Sequence, residues 1–364
     1  MKARNYKSAF LSAAKIISLI IFIFSIPSLV AQQKEIDSLK HAINTSKKDT
    51  AKIDLYEKLG DAYRTKRKMD SSVLSYRYAL EINEKNNYSL QKQCWDIATI
   101  DYLLYERGNY SESLNYASRH LPIRAKLNDT AQRGASHLVY GHNYRELGNY
   151  RLSLDHYFKA YHFWEIFHKG RNEPPDNTYT ILCIAETYLK MIRLDSALLY
   201  TQQAYKFAKR DSVGGLILLS ERITGDIYFA KGEDESALHY YRQYIPDFVK
   251  YKEKNRDLGF VLNSISKIFQ KRNQNDSAIF YAKKALTNAD EYQDQENIYN
   301  ATNLLYDFYK DNNEHEAFNY FKIAAAAKDS MASIEKIRQI QALTFSEQTR
   351  EKQLSEADAK DAAR

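Results

Sequence analysis

The chain has 364 residues, with 53 basic and 46 acidic side chains, and 30 of its residues are tyrosine. Only five prolines and eleven glycines occur, which argues against a β-rich or disordered architecture. A single hydrophobic core stops growing at roughly 250–300 residues, so this length favours either two domains or an array of repeats.

Residues 1–31 are predicted to be a secretory signal peptide. Four basic residues accompany an uncharged apolar run of eleven residues, 16–26. This run is too short to span a bilayer, which requires about 20 residues. An uncleaved anchor is the alternative, because Leu29 is not small at the third position from the cleavage site after Ala31. Both interpretations predict that the rest of the chain is exported, to the periplasm or to a membrane surface that faces it.

The charge of the remaining chain gives no sign of nucleic acid binding. Removal of the four basic residues in the first 31 lowers the net charge from +7 to +3. The densest basic run, Lys66-Arg67-Lys68, falls in a predicted turn, and a nucleic acid partner would require a clustered basic face. We therefore expect no nucleic acid partner. Membrane contact is expected only through the N-terminal segment or through a continuation beyond this chain.

The two cysteines are predicted to remain unbridged. An exported protein permits disulfides, and Cys94 and Cys183 lie in the first helices of the second and fourth repeats described below. Stacked helical hairpins lie about 10 Å apart, which exceeds the roughly 7 Å Cα limit for a bridge when the two residues are two repeats apart. We expect two buried thiols.

Residues 32–52 are predicted to hold a capping helix. Ile36, Leu39 and Ile43 share one helical face between Glu35 and Asn44, and a terminal repeat needs a covered end.

Seven copies of one spacing follow, over residues 53–330. They begin near residues 53, 94, 134, 178, 218, 259 and 298, at intervals of 39 to 44 residues. Each copy has two apolar stripes at helical spacing on either side of a short polar break, which predicts a helical hairpin. In the fifth copy, Leu218–Lys231 and Glu235–Tyr244 form the helices and Gly232 lies in the turn. Asp70, Asp195 and Asp276 should occupy the first turn of the second helix, where unpaired amides favour a carboxylate.

These copies resemble the tetratricopeptide repeat family in three places of the repeat. The small eighth place is held by Gly60, Asp101, Gly141, Ala185, Gly225, Ser266 and Leu305. The aromatic eleventh place is held by Tyr63, Leu104, Tyr144, Tyr188, Tyr228, Phe269 and Phe308. The small twentieth place is held by Ser72, Ser113, Ser153, Ala197, Ala237, Ala278 and Ala317. Small residues are needed where helices approach closely, and rings fill the space beside them.

Several features depart from that family. Asp101 and Leu305 do not fit the small eighth place. The copies are longer than the family's repeat of about 34 residues, so the helices or the connections must be longer. Pro122 and Pro246 both occupy the twenty-ninth place, where each is expected to end or kink its helix. Longer copies of this kind resemble those of bacterial signalling proteins. The segment Gly170–Pro175 is the clearest predicted loop.

The predicted fold is all-α: a right-handed superhelical solenoid of about seven hairpins, with an N-terminal capping helix and a C-terminal extended helix. Residues 331–364 form that last helix, which contains no glycine or proline. Its apolar residues cluster before Phe345, and Leu354 is the one strongly apolar residue after it. Two interpretations remain open: a solvated helix, or a connecting helix that leads towards a partner or a membrane segment.

A signal sequence, long repeats and a polar helix are together similar to the sensory half of membrane-bound sensor histidine kinases. In that family a transmembrane helix and a kinase core follow. Neither occurs here, since no apolar stretch long enough to span a membrane follows residue 31 and no Gly-rich nucleotide loop is present.

No residues in the sequence are arranged for catalysis or for binding a metal. Nucleotide loops, a nucleophile elbow and a Cys-x-x-Cys motif are absent. His315-Glu316 begins a zinc-protease pattern, but Asn319 stands at the second ligand position. His156, His162 and His168 are separated by about 240° around a helix, so they cannot share a face. We expect no enzyme activity, no cofactor and no metal.

The resemblance implies a binding groove lined by the first helix of each repeat. The candidate residues occupy the places of each repeat that line the groove in the family. They are Trp95, Tyr102, Tyr105, His142, Arg145, Tyr179, Glu186, Arg222, Asp226, Phe229, Asn263, Lys267 and Gln270. Rings beside isolated charges suit an extended or helical peptide, although Tyr102 and Phe229 could equally pack between repeats. Substitution of Arg222 and Trp95 is expected to weaken partner capture without much change in melting temperature. No fifth place is Lys, so a carboxylate clamp for a peptide C-terminus is not expected.

The sequence therefore predicts an exported scaffold that binds a protein or a peptide through the concave surface of its first helices. The alternative is the extracytoplasmic sensory region of a sensor histidine kinase whose transmembrane and kinase parts lie outside this chain.

Overall fold

A computed structural model describes residues 33–170, 177–251 and 257–362 of the chain. The signal segment and nearly all of the predicted loop at Gly170–Pro175 lie outside these residues. Helices account for almost all of the described residues, and no strand occurs among them. The all-α fold built from helical hairpins is thereby confirmed. The chain divides into two compact units, residues 1–127 and 128–364, and each is described by itself.

The first unit contains five described helices. Helix α1 spans residues 33–45, and the next four are α2 (Asp49–Thr65), α3 (Met69–Asn86), α4 (Leu90–Glu106) and α5 (Tyr110–Lys126). Ile36 and Ile43 of α1 are buried against Leu59 of α2, so α1 covers the first hairpin. Ile97 and Ile100 of α4 are buried in a second apolar cluster, shared with residues of α3.

The second unit contains ten helices among its described residues. They are α6 (Thr130–Glu146), α7 (Tyr150–Lys169), α8 (Thr178–Lys190), α9 (Leu194–Arg210), α10 (Gly214–Lys231), α11 (Asp234–Tyr251), α12 (Asp257–Lys271), α13 (Asn275–Tyr292), α14 (Gln295–Tyr309) and α15 (Glu314–Ala362). Even-numbered helices are the first helices of the repeats and odd-numbered helices from α3 onward are the second. Most of these helices have 15 to 20 residues, which accounts for the long repeat.

The twenty-fourth place of the repeat explains why the eighth place must be small. A Cβ atom added to Gly141 would lie 2.3 Å from the ring of Tyr157, which is fully buried. Gly60 and Gly225 stand in the same relation to Tyr76 and Tyr241, at 2.5 and 2.6 Å. Where the eighth place is Ala185, the twenty-fourth is the smaller Thr201. In these four repeats the volumes of the two places are therefore complementary, as close packing requires.

Serine at the twentieth place joins the two helices of a hairpin. The hydroxyls of Ser72 and Ser153 each donate to the carbonyl oxygen of the eighth-place glycine, at 2.8 Å. In the second repeat the hydroxyl of Ser113 instead donates to the carboxylate of Asp101, which is buried. Asp101 departs from the family pattern, and this bond provides its side chain with a polar partner inside the hairpin.

The break between the helices of a hairpin has one recurring backbone geometry. The fifteenth place has a left-handed conformation in six repeats, and glycine holds it in three of them, with φ between 73° and 78°. The other three are Arg67, Ile192 and Asn273, with φ of 56°, 57° and 57°. Gly232 lies in the turn that the sequence predicts.

The structure also bears on the predictions for three aspartates, two prolines and two cysteines. Asp70, Asp195 and Asp276 do lie in the first turns of α3, α9 and α13. The helices do not end at the prolines, because α5 continues to Lys126 past Pro122, and α11 continues to Tyr251 past position 246. Each proline lies close enough to the end of its helix for most of the preceding turns to keep their hydrogen bonds. Cys94 and Cys183 are both buried and neither forms a disulfide.

Candidate binding surface on the first helices of the second unit

Five successive first helices of the second unit contribute to one cavity of about 580 Å³. They supply Arg145, Glu186, Arg222, Asp257 and Glu296, in order from α6 to α14. We call the surface that these five residues mark the first-helix face. Each of the five repeats contributes from its first helix, but from a different place: Arg145 is near the end of α6, and Asp257 and Glu296 are near the beginnings of α12 and α14.

An alternating row of charges crosses the floor of this cavity. Arg145 Nη1 donates to Glu186 Oε2 at 2.9 Å, and Arg222 Nη2 donates to the other oxygen of Glu186. Arg222 Nη1 also donates to Asp226 Oδ2 at 2.8 Å, and its Nε lies 3.2 Å from Asp257 Oδ2. The side chain of Arg222 is thus surrounded by three carboxylates from three helices, and the residue is 8% exposed.

Burial and ion pairing shift the pKa values of the acids in this row in opposite directions. Burial alone would raise the pKa of Glu186, but Arg222 and Arg145 outweigh it, and the pKa of Glu186 lies below its ordinary value. Asp226 has the opposite outcome, because burial raises its pKa by more than Arg222 lowers it. Burial would lower the pKa of Arg222, but Asp257 and Glu186 raise it above its ordinary value. Pairing with the two arginines therefore favours the charged form of Glu186, whereas burial favours the neutral form of Asp226.

The buried tyrosines also form hydrogen bonds with side chains of the first helices. The hydroxyl of Tyr241 donates to Asp226 Oδ1 at 2.8 Å, and the hydroxyl of Tyr157 lies 2.8 Å from His142 Nδ1. His142 and Asp226 both occupy the ninth place, one residue after the small eighth place. A ring at the twenty-fourth place thus fills the space above the glycine and also fixes the side chain beside it. The two partners are 15 residues apart in both pairs, and this spacing is the sequence signal for the arrangement.

Ten of the predicted groove residues belong to the second unit, and five of them line the cavity. These five are Arg145, Glu186, Arg222, Asp226 and Phe229. His142 and Tyr179 pack against each other instead, with ring centroids 6.0 Å apart. Lys267 and Gln270 do not line the cavity and are part-buried.

The structure corrects two expectations about individual groove residues. Asn263 is buried, and its amide donates to the side-chain oxygen of Asn297 at 3.0 Å, so it joins two helices and does not face a ligand. Arg222 faces the cavity, but it also neutralises three acids. We therefore expect its removal to lower stability, which replaces the expectation that the melting temperature would change little.

The other three predicted groove residues, Trp95, Tyr102 and Tyr105, belong to the first unit. Trp95 and Tyr102 are exposed, so the packing of Tyr102 between repeats does not occur in this unit. Tyr105 contacts Tyr110 edge to face, with ring centroids 5.5 Å apart. Exposed large rings on a first helix are surfaces that a partner could cover.

The sequence does not reveal that α15 returns to the first-helix face. Glu335, Arg338 and Gln339 of α15 line the 580 Å³ cavity together with residues of α6 to α14. Arg338 Nη2 lies 3.3 Å from Glu146 Oε2, although 192 residues separate the two in the chain. Residues 335–353 of α15 therefore contact the repeats along one side of the helix.

A second, more apolar cavity of about 250 Å³ lies further along the same contact. Tyr144, Leu147 and Leu152 form one side of it, and Ala342, Phe345 and Thr349 of α15 belong to the other. The rings of Tyr144 and Phe345 meet edge to face, with centroids 6.2 Å apart. Aromatic pairs favour this geometry.

A histidine pair lies beside this region, within α6 and α7. The Nδ1 atoms of His137 and His156 are 3.0 Å apart, and Tyr140 stacks on His156 with ring centroids 4.5 Å apart. Burial, together with nearby cationic groups, lowers the pKa of each histidine to about 4. Both imidazoles are therefore neutral at pH 7. No group of three or more potential metal ligands occurs among the described residues, so we assign no metal to this pair.

Comparisons with known proteins identify the fold. No family model matches the sequence, and no curated protein matches it. Among solved structures, the Rap conjugation gene regulator of plasmid pLS20, in complex with the Phr* peptide, superposes with a TM-score of 0.57 at 15% identity. That match covers 88% of this chain and 96% of the regulator. Apo RapI gives a TM-score of 0.55 at 16% identity, over 70% of this chain and 89% of RapI.

A tetratricopeptide repeat protein from Parabacteroides merdae also matches, with a TM-score of 0.52 at 15% identity, over 72% of this chain and 89% of that chain. This chain has the tetratricopeptide repeat fold. The resemblance drawn from the eighth, eleventh and twentieth places is thereby confirmed at the level of fold. Among the residues that the structure describes, no helix of these tetratricopeptide repeats has the length and apolar character needed to cross a membrane.

Proposed function

We propose that this protein is a non-enzymatic scaffold that binds a protein or a peptide at the first-helix face of its second unit. One observation carries the proposal: five successive repeats contribute charged side chains to a single cavity of about 580 Å³. A surface that repeats along a solenoid suits an extended or helical partner, which also repeats along its length. The pLS20 regulator supports this interpretation, because its structure contains a peptide on the same type of fold.

The test uses residues at the edge of the cavity that lie outside the buried charge network. Lys190 and Glu296 both line the cavity and are exposed. The charge reversals Lys190→Glu and Glu296→Lys should each weaken capture of the partner at least about ten-fold, which corresponds to about 1.4 kcal/mol. The melting temperature should stay within error, because neither side chain is buried.

Lys206→Glu provides the matched control, since it reverses an exposed charge on the second helix α9. The immobilised full chain is incubated with a periplasmic extract, and bound proteins are quantified by mass spectrometry for each variant. A protein whose recovery falls with Lys190→Glu and Glu296→Lys but not with Lys206→Glu is the partner. If recovery of every bound protein is equal for all four chains, the first-helix face is not the binding surface.

We further propose that the mature protein is exported, with cleavage after Ala31. The supporting observation is the basic start and the apolar run of eleven residues in the sequence. N-terminal sequencing of protein recovered from the periplasm should begin at Gln32. Recovery in the membrane fraction with an intact Met1 would instead support the uncleaved anchor.

The sensory region of a sensor histidine kinase is the second candidate function. The observation that favours it is the unbroken 49-residue helix α15, which continues well past the last repeat. Reading the coding sequence downstream of Arg364 tests it. An in-frame apolar segment followed by a kinase core supports the sensory role, and an immediate stop codon removes it.

A further inference from the structure

The second half of α15 lies on the first-helix face through two specific contacts. Arg338 pairs with Glu146, and the ring of Phe345 meets that of Tyr144. Arg338 and Phe345 are seven residues apart, which is two turns, so they project from the same side of α15. Glu146 and Tyr144 lie near the end of α6. The two contacts therefore define a docking register for a helix on this surface.

The side of α15 that faces the surface is not its most aliphatic side. Ile337, Ile340 and Leu343 point away from it and are 53%, 54% and 67% exposed. Arg338 and Phe345 on the facing side are part-buried. A helix held only by hydrophobic burial would turn its aliphatic side inward. The orientation therefore places an arginine and an aromatic ring, and not the aliphatic side chains, against the surface.

Two clefts that are open to solvent, of about 580 and 250 Å³, lie along the contact between α15 and the first-helix face. An interface with this much unfilled volume suits a segment that can leave, and a partner with larger side chains could fill it better.

We propose that residues 330–353 are an intramolecular ligand of the first-helix face, and that the external partner is a helix of the same chemistry. Such a partner presents an arginine and an aromatic ring seven residues apart, the arginine against Glu146 and the ring against Tyr144, and it displaces α15 when it binds. This inference rests on the proposed function, because it names the partner class and the regulation of that surface.

The probe is a fluorescent peptide with the sequence of residues 330–353, added to the full chain. The wild-type chain should bind it weakly, because its tethered copy holds the surface at high effective concentration. The chain variant Arg338→Glu, with or without Phe345→Ala, releases the tethered copy and should bind the peptide at least about ten-fold more tightly. Arg338 is one-third exposed, so the single variant tests the idea even if the double variant folds poorly.

Peptide variants define which side of the helix is recognised. Peptides that carry Arg338→Glu or Phe345→Ala should lose binding to the released chain. A peptide with Ile337→Ala and Ile340→Ala is the matched control and should bind as well as the unchanged peptide. The peptide with Arg338→Glu should regain binding when the chain carries Glu146→Arg in place of Arg338→Glu, since Glu146→Arg repels the tethered Arg338 and restores the ion pair to the peptide with reversed charges.

Three results would overturn the inference: equal peptide binding by wild-type and released chains, loss of binding with the isoleucine peptide alone, or no rescue by Glu146→Arg. A wild-type dimer in light scattering that becomes monomeric on release would also overturn it, because α15 would then occupy a second copy. If peptide binding fails while partner recovery still depends on Lys190 and Glu296, the inference fails and the proposed function stands. If peptide binding and rescue succeed while no partner depends on those residues, α15 is only a self-contact and the proposed function fails.

Discussion

The guanidinium of Arg222 lies 2.8 Å from the carboxylate of Asp226, one turn further along α10. It also contacts Glu186 of α8 and Asp257 of α12, so one cation joins three successive repeats. A buried ion pair is weak evidence of net stabilisation, but the loss of one partner leaves an uncompensated charge. Arg222 therefore contributes to the architecture as well as to the surface that it marks.

We expect Arg222→Met to lower the free energy of unfolding by about 3–5 kcal/mol, because Glu186 and Asp226, whose side chains are only 26% and 19% exposed, would each lose an ion-pair partner. Urea denaturation followed by circular dichroism measures this loss. Lys310→Met is the control, since it removes an exposed contact with Asp307 and should leave the denaturation midpoint unchanged. A loss below about 1 kcal/mol for Arg222→Met, the range of an exposed ion pair, would mean that water solvates the acids and that the network is not structural.

The pairing of Gly141 with Tyr157 gives a prediction about packing. Gly141→Ala places a methyl group 2.3 Å from the ring and should cost about 1–3 kcal/mol. Tyr157→Thr in the same chain reproduces the Ala185 and Thr201 combination and should cost less there than in the wild-type chain, because it also removes the clash with the added methyl group. Gly215→Ala is the control, because nothing lies within 4 Å of its added methyl group, and it should be neutral or slightly stabilising.

Thermal denaturation of the wild type, both single variants and the double variant completes a mutant cycle for this pair. The coupling between Gly141→Ala and Tyr157→Thr should be favourable and at least about 0.5 kcal/mol, since the two residues share one space. Additive effects of the two substitutions would show that the volumes of the two places are not complementary.

Much of this arrangement follows from the sequence because it repeats. Three features recur along the chain: the small eighth place, the ring at the twenty-fourth place and the spacing of the hairpins. Each depends on neighbours in the same repeat or the next one. The docking of α15 does not repeat, and it joins Arg338 to a residue 192 positions away. A polar helix can present several sides to a partner, so its sequence alone does not select one. The burial of Asn263 is not predictable for a related reason. Its place in the repeat predicts that its side chain points towards the groove, but not that Asn297 of the next first helix accepts its hydrogen bond.

The turn at Ile192 offers a test of backbone strain. Ile192 has φ of 57° and is 80% exposed, so its side chain gains little from packing in this position. A left-handed conformation costs roughly 1–2 kcal/mol for a residue with a Cβ, and β-branched residues tolerate it poorly. Ile192→Gly should therefore raise the free energy of unfolding by about 1 kcal/mol.

The reverse substitution Gly232→Ile is the matched control for this turn. Gly232 has φ of 78° and its added Cβ would meet nothing within 4 Å, so the change isolates the backbone term. It should lower stability by a similar amount in chemical denaturation. If Ile192→Gly destabilises the chain, the flexibility that glycine adds to the unfolded state outweighs the relief of strain.

Asp96 in the first unit predicts how stability depends on pH. Asp96 is fully buried in α4, and neither carboxylate oxygen has a hydrogen-bond partner within the described residues. Burial, with a smaller contribution from the negative charge of Glu57, raises its pKa to about 8. An unfolded aspartate has a pKa of about 3.9, so between roughly pH 4 and 8 the folded state holds a proton that the unfolded state has lost.

Because the folded state binds more protons over this interval, the stability that the neutral carboxyl contributes is complete below about pH 4 and is lost as pH rises towards 8. Asp96→Asn removes this titration. The variant should be about 1–3 kcal/mol more stable than the wild type at pH 9, where the wild-type carboxylate is buried, ionised and without a hydrogen bond. The advantage should shrink as pH falls towards 5.

Urea denaturation at several values between pH 5 and 9 measures the difference between the two chains. The comparison cancels the other groups that titrate in the same range, including Asp101, whose pKa burial raises to about 7. Asp54→Asn is the control, because this exposed acid pairs with Lys92 and its removal should not change the slope at high pH. A constant difference between Asp96→Asn and wild type at every pH would show that Asp96 keeps one charge state in both the folded and unfolded chain, and would exclude a raised pKa.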